Sequence, residues 1–131
     1  MAKYVYPAVF RKEPEFGYSV SFPDISGCFT SGDDLAESLE NASDALALML
    51  YDMEESKAAI PAASDIASIK CEDREFVSYV TCDTKVYRRR RNTRAIKKTL
   101  SIPAWMNDEG IAAGLNFSQI LQEGLLAKLG S

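Results

Sequence analysis

The sequence predicts an α+β chain in two parts. A β-β-β-α-β layer occupies residues 1–84, a strand-helix-helix tail occupies 95–131, and a basic linker at 85–94 joins them. Three observations predict this. Short segments rich in β-branched and aromatic residues alternate with period two, which reads as strand. One long segment repeats its apolar residues at spacings of three and four, which reads as an amphipathic helix. The charge also divides: residues 1–84 carry 6 Lys/Arg and 16 Asp/Glu, a net of −10, whereas residues 85–131 carry 9 and 3, a net of +6. A basic surface suits nucleic acid, while an acidic one repels it and attracts a basic protein.

The first strand is "KYVYPAVF", residues 3–10. Pro7 within it lacks an N–H, which favours an edge position or a bulge. "RKEPEFG" supplies turn residues, and "YSVSFPD" alternates again, with Tyr18, Val20 and Phe22 on one face and Ser19 and Ser21 on the other. The pair reads as a hairpin. A short third strand is expected around Cys28–Thr30. The helix then starts at Asp34, an N-cap answered by Glu37 as in a capping box. Leu35, Leu39, Ala42, Leu46, Met49, Leu50 and Met53 form its apolar stripe, and it should end near Ser56, ahead of Pro61. "EFVSYVTCD", residues 75–83, is the fourth strand, with Phe76, Ser78, Val80 and Cys82 facing one way. The helix should pack on one face of this sheet.

Several function classes are excluded or disfavoured. The chain has no histidine, so a zinc site or a histidine base is not expected, and no cofactor or metal is implied. Cys28, Cys71 and Cys82 form no CxxC pair and read as free, mostly buried thiols. There is no Walker A loop and no Rossmann glycine pattern. Carboxylates such as Asp24 and Asp83 could in principle hold magnesium for a nuclease, but solvated charge is the default for such residues. The chain is therefore read as a non-enzyme. No apolar run approaches the ~20 residues that cross a bilayer. The start, "MAKYVYPAVF", lacks the continuous apolar core of a signal peptide, so a cytoplasmic location without membrane contact is expected.

In the tail, "IKKTLSI" alternates if extended. Lys97, Thr99 and Ser101 share a polar face able to meet base edges; Ile96, Lys98, Leu100 and Ile102 share the other. Pro103 stops the strand and suits the first turn of a helix, "AWMNDEGIAAG", that ends at Gly114. Asn116 caps a last helix, with Gln119 in the capping-box position and Phe117, Ile120, Leu121, Leu125, Leu126 and Leu129 on its apolar side. Strand, helix and helix in so few residues cannot close a core, since domains below ~40 residues normally need extra help. Two chains pairing their strands antiparallel about a two-fold axis remove the difficulty. Ile96, Leu100, Ile102, Trp105, Met106, Phe117, Leu121 and Leu125 would then form the dimer core. The paired polar faces form a ribbon narrow enough for the DNA major groove. Arg91 and Arg94, in the run "RRRRNTR", would lie near the phosphate backbone.

"IKKTLSIPAWMNDEGIAAGLNFSQILQEGLLAKL" closely resembles the ribbon-helix-helix DNA-binding domain, and "YPAVF…GYSVSFPDISGCFTSGDDLAESLENASDALALML" resembles the N-terminal domain of HicB antitoxins. The resemblance implies a partial RNase H-like fold for the first part, without catalytic function. It also implies direct binding of a small basic HicA-type toxin that cleaves mRNA, and repression of the chain's own operon at palindromic operator DNA. Lys97, Thr99 and Ser101 take the base-reading positions, and Asn116, Phe117 and Ser118 the phosphate-clamping position, where free N–H groups favour an anion. Glu109 and Gly110 stand where the family pattern leads one to expect leucine and alanine, so a shortened helix or weaker dimer is expected. A homodimer through the tail is expected; pairing of the first parts into a tetramer is left open. The alternative is a stand-alone ribbon-helix-helix regulator whose first part senses a ligand or oligomerises.

Overall fold

The computed structural model describes residues 3–130; the predicted bounds at 1 and 131 lie outside the described residues. In chain order come β1 (Lys3–Lys12), β2 (Tyr18–Ser21), β3 (Phe29–Gly32), α1 (Leu35–Ser56), a 3-10 turn (Ile66–Ser68), β4 (Glu75–Asp83), α2 (Thr84–Arg91), α3 (Ala104–Ala112) and α4 (Phe117–Leu129). They form two compact units, one ending at Arg94 and one beginning at Ala95.

The first unit is an antiparallel sheet in the order β3-β2-β1-β4. The period-two alternation sorts its faces. Tyr6, Ala8 and Phe10 of β1, Val20 of β2 and Val80 and Cys82 of β4 are buried with Ala42, Leu46 and Leu50 of α1 in one core. Pro7 lies within an inner strand rather than at an edge. However, β2 pairs only with Val9–Lys12, so the half of β1 that holds Pro7 has a single neighbour, β4, where Pro7 faces Tyr79. A missing N–H is tolerated there because no ladder on the other side requires it.

α1 is capped as its sequence predicts: the Asp34 carboxylate accepts the Glu37 N–H at 2.8 Å. The return bond is displaced by one residue, since the Glu37 carboxylate accepts the N–H of Asp33. The helix ends after Ser56, but its terminator is Lys57 in the left-handed region at φ 57°, ahead of Pro61. The buried face runs through Ser38, Ala42, Leu46 and Leu50, while Leu35 and Leu39 stay 42% and 39% exposed. Ser38 is buried because it sits against Gly32, where a Cβ would stand 2.5 Å from the Ser38 nitrogen. The long connection to β4 is tied down by the Tyr6 hydroxyl donating to the Pro61 carbonyl, by the Ser64 N–H donating to Asp24 at 2.8 Å, and by the Ile66 N–H donating to the Tyr79 hydroxyl at 3.1 Å.

Two predicted segments differ. Most of the stretch read as a linker at 85–94 is the helix α2, capped by Asp83, whose carboxylate accepts the Lys85 N–H at 2.9 Å. Its charge is neutralised from a distance: Arg88 pairs with Glu54 and Glu55 of α1 and stacks over Tyr51, and Arg90 approaches Asp44 at 3.9 Å. The predicted strand around 96–102 carries no regular secondary structure in the single chain. A strand exists through its ladder. Among the described residues, no backbone hydrogen bond joins this segment to another.

In the second unit Pro103 precedes α3 rather than occupying its first turn, and its carbonyl accepts the N–H groups of Met106 and Asn107 at 3.1 Å. Gly114, at φ 70°, turns the chain after α3 as expected of an αL stop. α4 begins at the Asn116 cap.

Candidate functional site

The extended segment before α3 has two chemical faces. Lys98, Leu100 and Ile102 line a mostly apolar groove of about 530 Å³ together with Met106, Asn107, Gly110 and Leu115 of the α3 side and Phe117, Ser118, Ile120 and Leu121 of α4. Lys97, Thr99 and Ser101 do not line it, and all three are exposed. The alternation thus places Lys97, Thr99 and Ser101 away from the groove and Lys98, Leu100 and Ile102 along it, while Ile96 lies outside its lining. The apolar set is uncovered in the single chain. Ile96 is 75% exposed, and Leu100, Ile102, Trp105, Met106, Leu121 and Leu125 are also exposed.

For Gly110 the structure answers the expectation of a shortened helix and leaves dimer strength aside. It is the buried residue of α3, and a Cβ there would stand 2.6 Å from the Phe117 ring. The glycine is the seat of that ring and does not shorten α3, which runs on to Ala112. Gly124 has open space where a Cβ would be, so no close helix contact accounts for it in the single chain.

The start of α4 is a cluster of backbone donors. The Asn116 side chain accepts the Gln119 N–H at 3.0 Å, and the first intrahelical bond is that of the Ile120 N–H to the Asn116 carbonyl. The N–H groups of Phe117 and Ser118 precede it, the position where a helix favours an anion. The basic run is differently disposed. Arg91 lies in α2 with its guanidinium over Tyr87, donating to the Tyr87 hydroxyl at 3.3 Å, while Arg94 is exposed beyond the helix.

The carboxylates considered for a nuclease are engaged in the fold. Asp24 holds Ser64, and Asp83 caps α2. No group of three His, Cys, Asp or Glu side chains among the described residues could hold a metal ion. Cys28 and Cys82 are buried and Cys71 is exposed. Burial pushes the Cys28 thiol up to about 11 and the Cys82 thiol up to about 12, so neither is a nucleophile near neutrality.

One polar knot was not legible in the sequence. Glu54 accepts from the Tyr4 hydroxyl at 2.7 Å and from the Thr84 hydroxyl at 3.0 Å, and pairs with Arg88. The hydrogen bond to Glu54 pushes the Tyr4 phenol up to about 12. These groups come from β1, α1 and α2, and only a long-range contact map reveals them. No helix among the described residues is long and apolar enough to cross a membrane.

Comparison with known proteins gives matches over nearly all of the chain. The family model of the HicB-like antitoxin of bacterial toxin-antitoxin systems matches residues 6–129. Antitoxin HicB of Escherichia coli strain K12 is 49% identical over 41 residues, which span 31% of this chain and 30% of that protein. Among solved structures, a toxin-antitoxin complex from Streptococcus pneumoniae aligns with a TM-score of 0.62 at 31% identity, covering 96% of this chain and 99% of its own. A chain of a HicA3 and HicB3 toxin-antitoxin complex aligns at 0.51 with 26% identity, covering 61% of this chain and 99% of its own.

Proposed function

This chain belongs to the HicB-like antitoxin family of bacterial toxin-antitoxin systems, and from that premise we propose that it has two binding tasks. The first unit, a partial RNase H-like domain, neutralises a cognate HicA-type mRNA-cleaving toxin by direct binding. The second unit is a ribbon-helix-helix domain that pairs with a second copy and represses the chain's own operon at palindromic operator DNA. Both tasks are binding without catalysis, and their setting is the cytoplasm.

For the toxin, the supporting facts are the family itself and the structural likeness to a chain of a HicA3–HicB3 complex. The net charge of −10 on residues 1–84 favours a basic partner. For DNA, the observation that carries the reading is the two-faced segment before α3. Its Leu100 and Ile102 line an open groove that Lys97, Thr99 and Ser101 do not line. A second chain whose strand pairs with this one satisfies the bare backbone, covers the groove and sets two polar faces side by side. Such a ribbon fits the major groove, where Lys97, Thr99 and Ser101 meet base edges. Phe117 and Ser118 present their N–H groups to phosphate. Arg94 adds affinity without sequence information.

Replacing Lys97, Thr99 and Ser101 together with alanine tests the reading unit. Operator binding, measured by fluorescence anisotropy, falls to the non-specific level while toxin binding is kept. Unchanged operator affinity would exclude this segment as the reader.

A further inference from the structure

The proposed toxin contact has no surface assigned to it, and the first unit has one that fits. Antiparallel pairing brings the end of β1, the start of β2, the end of β3 and the start of β4 to one edge of the sheet. The turns that meet there are 13–17, 33–37 and 72–75, which hold eight carboxylates and one cation, Arg74. The two cations just before the first turn are occupied: Arg11 pairs with Glu13 at 3.7 Å, and Lys12 lies over the Tyr18 ring at 5.0 Å.

The helix-sheet core is open at this same end. Ala42, Leu46 and Leu50 of α1 are fully buried, but Leu35 and Leu39, earlier on the same stripe, are 42% and 39% exposed. On the sheet face that α1 covers, Phe10 is fully buried while Phe76, stacked on it at 5.1 Å, is 39% exposed. Phe16 in the hairpin turn is 49% exposed. An apolar centre inside a charged rim is the anatomy of a protein–protein interface.

We propose that this end of the first unit is the seat of the toxin. The proposal rests on the antitoxin reading and adds the surface to it. A protein that cleaves RNA must attract phosphate, so its substrate face is cationic. The acidic rim complements that face, Leu35, Leu39 and Phe76 fill the centre, and the seated unit occupies the place of RNA. The same rim repels DNA, which leaves the operator to the other unit.

The test measures the affinity of the full-length chain for the purified protein encoded beside its gene, by calorimetry at two salt concentrations. L35S/L39S and E15K/D73K each weaken binding at least tenfold, and the second deficit shrinks as salt rises. D52K, at the far end of α1, binds like the wild type. Circular dichroism and unchanged operator binding verify that each variant is folded. Wild-type affinity in both double variants would overturn the assignment. So would an equal loss in D52K, which would make the effect one of net charge rather than place. A change of oligomeric mass without a change in toxin affinity would assign the surface to self-association instead. If the wild type itself does not bind, the antitoxin reading fails first.

Discussion

Gly110 and Phe117 are a matched pair. Alanine favours a helix interior over glycine by about 1 kcal/mol. At position 110, though, the added methyl would stand 2.6 Å from the Phe117 ring, and overpacking of this kind costs roughly 1–3 kcal/mol. G110A is therefore expected to lower the melting temperature at fixed protein concentration, whereas the same change in an F117A background raises it. A double-mutant cycle of thermal denaturation measures the coupling. Composition hides this relation, because a glycine in a helix looks like a weakness until its neighbour is known. The Tyr4 phenol gives a second prediction. Its folded value of about 12 lies above its ordinary 10.0, so its contribution to stability is complete below pH 10 and is lost as pH rises through 12. The buried Cys28 and Cys82 thiols act in the same direction, from their ordinary 9.0 upward. Stability measured by urea unfolding should fall between about pH 9 and 12. Y4F should make that fall shallower above pH 10 and leave the share of the two thiols in place.

Elements were legible where one periodicity ruled them. β1, β2, β4 and α1 follow from alternation and from the three-four repeat, and α1 from its Asp34 cap as well. α2 was not legible, because "TKVYRRRR" offers only two large apolar residues, Val86 and Tyr87, and its four arginines read as a solvated run. What supports α2 is the Asp83 cap and the partners Tyr51, Glu54 and Glu55, more than thirty residues away from Arg88 in the chain. Periodicity also could not tell that Leu35 and Leu39 stay exposed. The segment 96–102 reads as strand because its chemistry alternates, yet among the described residues no backbone hydrogen bond joins it to another segment. The basic run therefore splits by element. R88A is expected to speed amide exchange in residues 84–91 with little effect on operator affinity. R94A is expected to leave that exchange unchanged and to reduce the salt slope of operator binding by about 0.9. Hydrogen exchange and a salt titration separate the two roles.

At the scale of the molecule, the acidic excess of residues 1–84 and the basic run of 85–94 both fall in the first unit, for a net of −4, while residues 95–131 balance 3 Lys/Arg against 3 Asp/Glu. The acidic unit closes its core with one helix on one sheet face, and the other unit leaves Ile96, Trp105, Leu125 and Leu129 more than half exposed. That exposure is large for so short a segment, and covering it should govern stability. Melting of the tail should depend on protein concentration, as it does for an obligate dimer. L100D should abolish both the dimer and operator binding while the first unit keeps its fold and its toxin affinity; equilibrium sedimentation reads the first loss. The proposed two-fold partner and the proposed toxin are each another chain, which is why no reading of one sequence completes the account. The central claim, neutralisation by binding, meets its most direct test in cells that express the toxin encoded beside this gene. Co-expression of the chain should restore growth, with toxin and chain purifying together as a stable complex. Growth arrest that persists while the chain is abundant and folded, with no complex recovered, would contradict it.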